Sequence, residues 1–225
     1  PAASNASNKG IAGSMSAFAV VNDRLYTVDA FNMEIFNIED TYHPSLTNQI
    51  QLSWNVETVY PFEDKLFLGS TAGVYMFDIK SSPDNPTNLG MFAHARSCDP
   101  VIVDNQYAYV TLSDGTRCGG SADELDILDI SNPGSYSWKL VKTYPLFHPQ
   151  GLSKDGKALF ICDGKQGLKI YDATNISDLK MIKQINMPET YDIITQNGLA
   201  LVVTVSGLFQ FDYHDLGNIH QLSKL

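Results

Sequence analysis

Apolar residues fall in short runs of four to seven along the whole chain, and small or turn-forming residues separate the runs. Val, Ile, Leu, Phe and Tyr fill the runs, while Gly, Pro, Asn and Asp punctuate them, which is the signature of β-strands joined by tight turns. No stretch sustains the three-to-four residue spacing of an amphipathic helix. The pattern predicts strands over 17–21, 25–29, 34–38 and 46–52, then over 57–62, 65–69, 74–79 and 89–93. Asp155-Gly156 and Asn197-Gly198 supply residues that accept positive φ, as hairpins require. The run 199–205 is apolar at every position but one, and predicts a strand covered on both faces.

The strands recur. Asn22-Asp23-Arg24-Leu25-Tyr26 is followed by Glu63-Asp64-Lys65-Leu66-Phe67, Asp104-Asn105-Gln106-Tyr107, Asp155-Gly156-Lys157-Ala158-Leu159 and Gln196-Asn197-Gly198-Leu199, at spacings of 41, 41, 51 and 41 residues. A second column repeats in the same order: Ile35-Phe36-Asn37-Ile38, Met76-Phe77-Asp78-Ile79, Ile127-Leu128-Asp129-Ile130, Ile170-Tyr171-Asp172-Ala173 and Gln210-Phe211-Asp212-Tyr213. The ten extra residues of the third unit lie between the two columns, within 113–123. Four-strand units of about 40 to 45 residues are the period of propeller blades. The expected fold is therefore all-β, a five-bladed β-propeller with four antiparallel strands per blade. A two-sheet sandwich does not predict a fivefold repeat. Blades are expected over 15–52, 53–95, 96–146, 147–188 and 189–225, behind a linker over 1–14. The chain starts at Pro1 without a leader-like apolar segment, and its first residues read as a linker left by processing. The closing strand can come from 218–225, or 10–15 can pair with the last blade and lock the ring.

Composition narrows the partners. Of 225 residues, 25 are acidic and 15 basic, a formal net charge of -10. Nucleic acid and anionic membrane surfaces are poor partners for such a chain, since both need clustered Lys and Arg. No apolar run is long enough for a transmembrane segment. Aromatic content of 11% and hydrophobic content of 44% describe a packed domain, and monomer is the expected state.

The third-strand column resembles the LVIVD repeat. The matching residues are Gly73-Val74-Tyr75-Met76-Phe77-Asp78-Ile79, Leu125-Asp126-Ile127-Leu128-Asp129-Ile130-Ser131-Asn132-Pro133, Gly167-Leu168-Lys169-Ile170-Tyr171-Asp172 and Gly207-Leu208-Phe209-Gln210-Phe211-Asp212. The first unit departs, with Asn37 for Asp and Met33 for Gly, and the fifth lacks the Asn-Pro turn. The resemblance spans nearly the whole chain. It implies a propeller of the bacterial or archaeal cell envelope, extracytoplasmic and often tethered as a lipoprotein, and carries no assigned chemistry.

Asn37, Asp78, Asp129, Asp172 and Asp212 end their third strands just before a turn, so they are expected to cap it by accepting backbone N–H groups. A ring of metal ligands is the other reading, and separate blades keep the five residues apart. In a propeller, the loops leading into first strands and those between second and third strands share one face, here called the top. Cys98 and Cys118 fall on the top of the third blade, which predicts a disulfide pinning the Gly-rich insertion. Cys162 then remains a buried thiol. Neither a Cys nucleophile nor a structural zinc site has the partners or spacing it needs.

The approaches to the first strands differ from blade to blade. They carry Trp54 and Glu57, then Arg96 and Asp99, then Phe147, His148 and Gln150, then Tyr191 and Asp192. These nine residues form the candidate ligand-binding top face, although variable loops alone account for such differences equally well. No GxSxG, HExxH, P-loop or EF-hand pattern accompanies them, and no metal or cofactor is expected. The sequence favours a non-catalytic binding propeller with a protein or glycan partner. The alternative is a carbohydrate-active enzyme using the acidic and His residues at the channel mouth.

Overall fold

The computed structural model describes residues 13–93, 100–113, 122–132 and 138–225. It is all-β, with five four-stranded antiparallel blades in a propeller arrangement. Blade 1 comprises β1 (Phe18–Val21), β2 (Arg24–Asp29), β3 (Asn32–Asn37) and β4 (Ser45–Gln51). Blade 2 comprises β5 (Val56–Phe62), β6 (Lys65–Ser70), β7 (Gly73–Asp78) and β8 (Thr87–Ala93). Blade 3 comprises β9 (Val101–Asp104), β10 (Tyr107–Leu112), β11 (Glu124–Asp129) and β12 (Lys139–Pro145). Blade 4 comprises β13 (Leu152–Asp155), β14 (Ala158–Cys162), β15 (Leu168–Asp172) and β16 (Lys180–Ile185). Blade 5 comprises β17 (Thr190–Gln196), β18 (Leu199–Thr204), β19 (Gly207–Asp212) and β20 (His220–Lys224). The fourth strand of blade 5 thus comes from the end of the chain.

The two repeated columns have physical counterparts. In each blade a two-residue turn joins the first and second strands, and its first residue is left-handed: Asn22, Glu63, Asn105, Gly156 and Asn197, with φ between 50° and 55°. In blades 3 to 5 this is one position later than the sequence alignment placed it. Asn and Gly tolerate left-handed φ better than the Asp104, Asp155 and Gln196 before them. The other column marks a register shift against the fourth strand, at Ile35/Phe36, Met76/Phe77, Ile127/Leu128, Ile170/Tyr171 and Gln210/Phe211. One extra residue there increases local twist. The residue after each third strand also donates its N–H to the first turn of its own blade, as Ile79 does to Asp64 at 3.0 Å and Tyr213 to Gly198 at 2.7 Å.

The core lies between blades. Ala19, Tyr26, Met33 and Ile35 of blade 1 meet Val59, Leu66 and Leu68 of blade 2. Phe67, Val74 and Met76 meet Val101, Val103 and Val110 of blade 3. Tyr109, Leu125 and Ile127 meet Leu152, Leu159 and Ile161 of blade 4. Phe160 and Ile170 meet Ala200, Val202 and Phe209 of blade 5. Each buried aliphatic or aromatic side chain contributes about 1.5–3 kcal/mol.

The double-sided burial expected for 199–205 is not found. Ala200, Val202 and Thr204 are buried, but Leu199, Leu201, Val203 and Val205 are exposed. The reason is geometric: blade 4 covers one face of this sheet, and the other face looks outward.

Candidate functional site

The top of blade 4 is built on one buried carboxylate. β14 ends at Cys162, and the segment 163–167 turns back into β15, closed by N–H···O bonds from Asp163 to Gly167 and from Gln166 to Asp163, both 2.9 Å. Gly164 and Gly167 take left-handed φ, and a Cβ on Gly164 would lie 3.0 Å from the His148 carbonyl oxygen. Glycine is therefore needed there for close packing as well as for the turn. Asp163 is fully buried. Its carboxylate accepts from the backbone N–H groups of Phe147, at 3.0 and 3.2 Å, and of His148, at 2.9 Å, and it pairs with Lys169 Nζ. These partners offset the desolvation of the charge and hang the loop ahead of β13 on a rigid support.

On that support the His148 ring reaches blade 3. Nδ1 lies 3.0 Å from Ser113 Oγ, and Ser113 Oγ lies 3.3 Å from Asp123 Oδ1. Asp123 Oδ1 is 3.8 Å from the same ring nitrogen. Ser113 is buried, whereas His148 and Asp123 are partly exposed. A nucleophilic triad instead places hydroxyl and carboxylate on opposite ring nitrogens, so that the carboxylate orients the base. Here both approach Nδ1. Such a cluster presents donors and acceptors to a ligand without the relay that activates a hydroxyl.

The other candidate residues divide. Phe147 and Tyr191 are exposed, at 52% and 36%. The Tyr191 carbonyl accepts from Gly151 N–H at 2.7 Å, which ties the approaches of blades 4 and 5 together. Gln150 acts through its backbone, donating to the Cys162 carbonyl and accepting from Thr111 Oγ1 at 2.7 Å. Trp54 stacks on Tyr75 with ring centroids 3.7 Å apart, against the core of blades 1 and 2. Glu57 accepts from Asn55 at 3.3 Å, and burial raises its pKa. Asp192 is largely buried beside the channel, accepts from Ser14 Oγ and Ile193 N–H, and is likewise raised by burial. Arg96, Asp99, Cys98 and Cys118 lie outside the described residues. Cys162 is free and buried, and burial pushes its thiol well above the ordinary range, which disfavours a nucleophilic thiolate.

The third-strand polar residues contact the backbone just after them. Asn37 accepts from Glu39 N–H, Asp129 from Ser131, Asp172 from Thr174 and Asp212 from His214, at 2.8–2.9 Å. Asp78 accepts from Lys80 and Ser81 at 3.4 Å. Among the described residues no group of three or more His, Cys, Asp or Glu side chains is placed to hold a metal ion.

Sequence reasoning missed the roles of Ser113, Asp163, Lys169 and Ser14. Asp163-Gly164 directly after an apolar strand was a readable turn signal. Nothing local indicated that the carboxylate would be buried. The sequence also did not point to a cavity of about 470 Å³ opening at the opposite end of the channel, lined by Tyr60, Asp104, Ser153, Lys154 and Thr195. Lys154 is spent there on Asp104 and the Gly156 carbonyl, and burial pushes Tyr60 up to about 12. No helix among the described residues is long and apolar enough to cross a membrane.

No family model matches the chain, and no curated protein does. Solved structures do. A putative 6-phosphogluconolactonase from Bacteroides fragilis superposes with a TM-score of 0.69 at 13% identity, over 92% of this chain and 68% of its own. The periplasmic gluconolactonase of Pseudomonas aeruginosa gives 0.66 at 13% identity, over 90% and 67%. A computationally designed protein gives 0.63 at 10% identity, and the chain spans only 61% of its length. At these identities the likeness concerns the fold alone.

Proposed function

We propose that this chain is a non-catalytic, extracytoplasmic binding propeller that takes a glycan through its top-face loops at the junction of blades 3 and 4. The observation that carries this reading is the pairing of exposed Phe147 with the Ser113, Asp123 and His148 cluster. An aromatic face packs against the apolar side of a sugar ring, while the partly exposed carboxylate and imidazole match its hydroxyl groups and buried Ser113 holds the imidazole in place. Tyr191 on the next approach extends the aromatic surface. The buried support under His148 fixes the cluster before a ligand arrives, which lowers the ordering cost of binding. The LVIVD-type resemblance supports the placement in the envelope.

A second reading follows from the lactonase names of the superposing structures: an enzyme acting on a sugar lactone, with His148 as general base. Nδ1 faces Ser113, so Nε2 is the ring nitrogen that would take the proton from a bound water.

A glycan array followed by titration calorimetry tests the proposal. Glycan binding that His148→Ala and Phe147→Ala each weaken at least tenfold, with unchanged melting temperature, is the expected result. Hydrolysis of gluconolactone or 6-phosphogluconolactone that His148→Ala abolishes favours the enzyme. Capture of an envelope protein with no glycan binding overturns the choice of ligand.

A further inference from the structure

Blade 5 turns toward solvent a sheet face made like those the other blades bury. Ile194 pairs across to Leu201, and Val203 to Leu208, so the side chains of three strands form one surface. Leu201 and Val203 are 38% and 44% exposed, and Ile194, Leu199 and Val205 are exposed beside them. At the opposite end of the arc, Phe18 and Val20 of β1 are exposed while Ala19 and Val21 face blade 2. β18 is an internal strand of its sheet, so this is an uncovered face and not a frayed edge. Contiguous aliphatic surface of this kind marks an interface. As in the four interblade contacts already described, alternate residues along and just past the second strand, Leu199, Leu201, Val203 and Val205, are apolar, joined by Ile194 and Leu208, with Asp192, Gln196 and Gln210 among their cross-strand neighbours.

We propose that both open faces are interblade faces, and that further four-stranded blades carried on the same polypeptide fill the space between blade 5 and blade 1. The size of the superposing propellers agrees. Five blades cover 67–68% of the two lactonase-named chains, which leaves room for about two more units. A second copy of the arc would bring the ring to ten blades, beyond the usual range of about four to eight.

Leu201→Glu and Val203→Glu, made in the native polypeptide and in the isolated 225-residue chain, separate the possibilities. A covered face cannot take the charge, so the melting temperature of the native polypeptide falls by roughly 10 °C. The isolated chain is nearly unaffected, and its several-fold enhancement of anilinonaphthalene sulfonate fluorescence is lost in either variant. Where Glu prevents folding, Val203→Thr gives the same ranking with a smaller shift. The proposal is overturned if the native polypeptide tolerates both substitutions within about 2 °C. It is equally overturned if the native polypeptide has the 24.8 kDa mass of this chain and forms a dimer that Val203→Glu splits.

Discussion

Ser14 Oγ donates to Asp192 Oδ1 at 3.2 Å and accepts from Leu152 N–H at 2.8 Å, joining a residue ahead of the first blade to blades 4 and 5. Two residues on, the Ser16 carbonyl accepts from Val59 N–H of blade 2 at 2.8 Å. The segment 13–16 therefore bridges the inner strands across the channel. Gly13 and Gly151 make this possible, since a Cβ on either would lie within 2.8 Å of the Asp192 carboxylate.

Burial is the largest influence on Asp192 and raises its pKa, outweighing the bonds from Ile193, Ser14 and Met15 that lower it. A carboxyl raised in the folded state disfavours folding once ionised. Its penalty is absent below the ordinary Asp value of about 4 and grows until pH passes the raised value. Asp192→Asn is accordingly at least as stable as the parent at pH 7, and the difference closes near pH 4. Urea denaturation at the two pH values checks this.

Asp163→Asn leaves the Lys169 ammonium without its counter-charge and weakens the support of the Phe147 and His148 amides. Breaking a buried pair on one side costs about 3–5 kcal/mol, and the slight exposure of Lys169 places this site near the lower figure. Guanidinium unfolding measures the loss, and glycan affinity should fall in parallel because the His148 loop loosens.

Glu63 holds a left-handed φ of 51°, where its counterparts in four blades are Asn or Gly. Replacing it with Asn relieves backbone strain and should stabilise the chain by about 0.5–1 kcal/mol. An unchanged or lowered melting temperature would show that the Glu side chain compensates.

Val202 and Val203 are adjacent and point to opposite faces of β18, the first fully buried and the second 44% exposed. In the isolated chain Val202→Ala should cost about 2 kcal/mol, and Val203→Ala less than about 0.5. Equal costs would mean that the outer face is covered in solution.

Much of the architecture is local in origin and was legible in the sequence. Five turns that need a left-handed residue and five third strands ending in Asn or Asp recur at a near-constant interval, because each blade solves the same backbone problem with the same residue types. Strand number, blade number and turn positions follow to within a residue or two. The sequence could not reveal which strand faces were covered. Leu199 and Leu201 are chemically like Leu66 and Leu68, yet only the latter pair is buried, since burial depends on a neighbouring blade and not on the strand itself. The site has the same character. Ser113 and Asp123 belong to blade 3 and His148 and Asp163 to blade 4, and the contacts of the His148 ring with Ser113 and Asp123 exist only once packing brings the tops of those blades together.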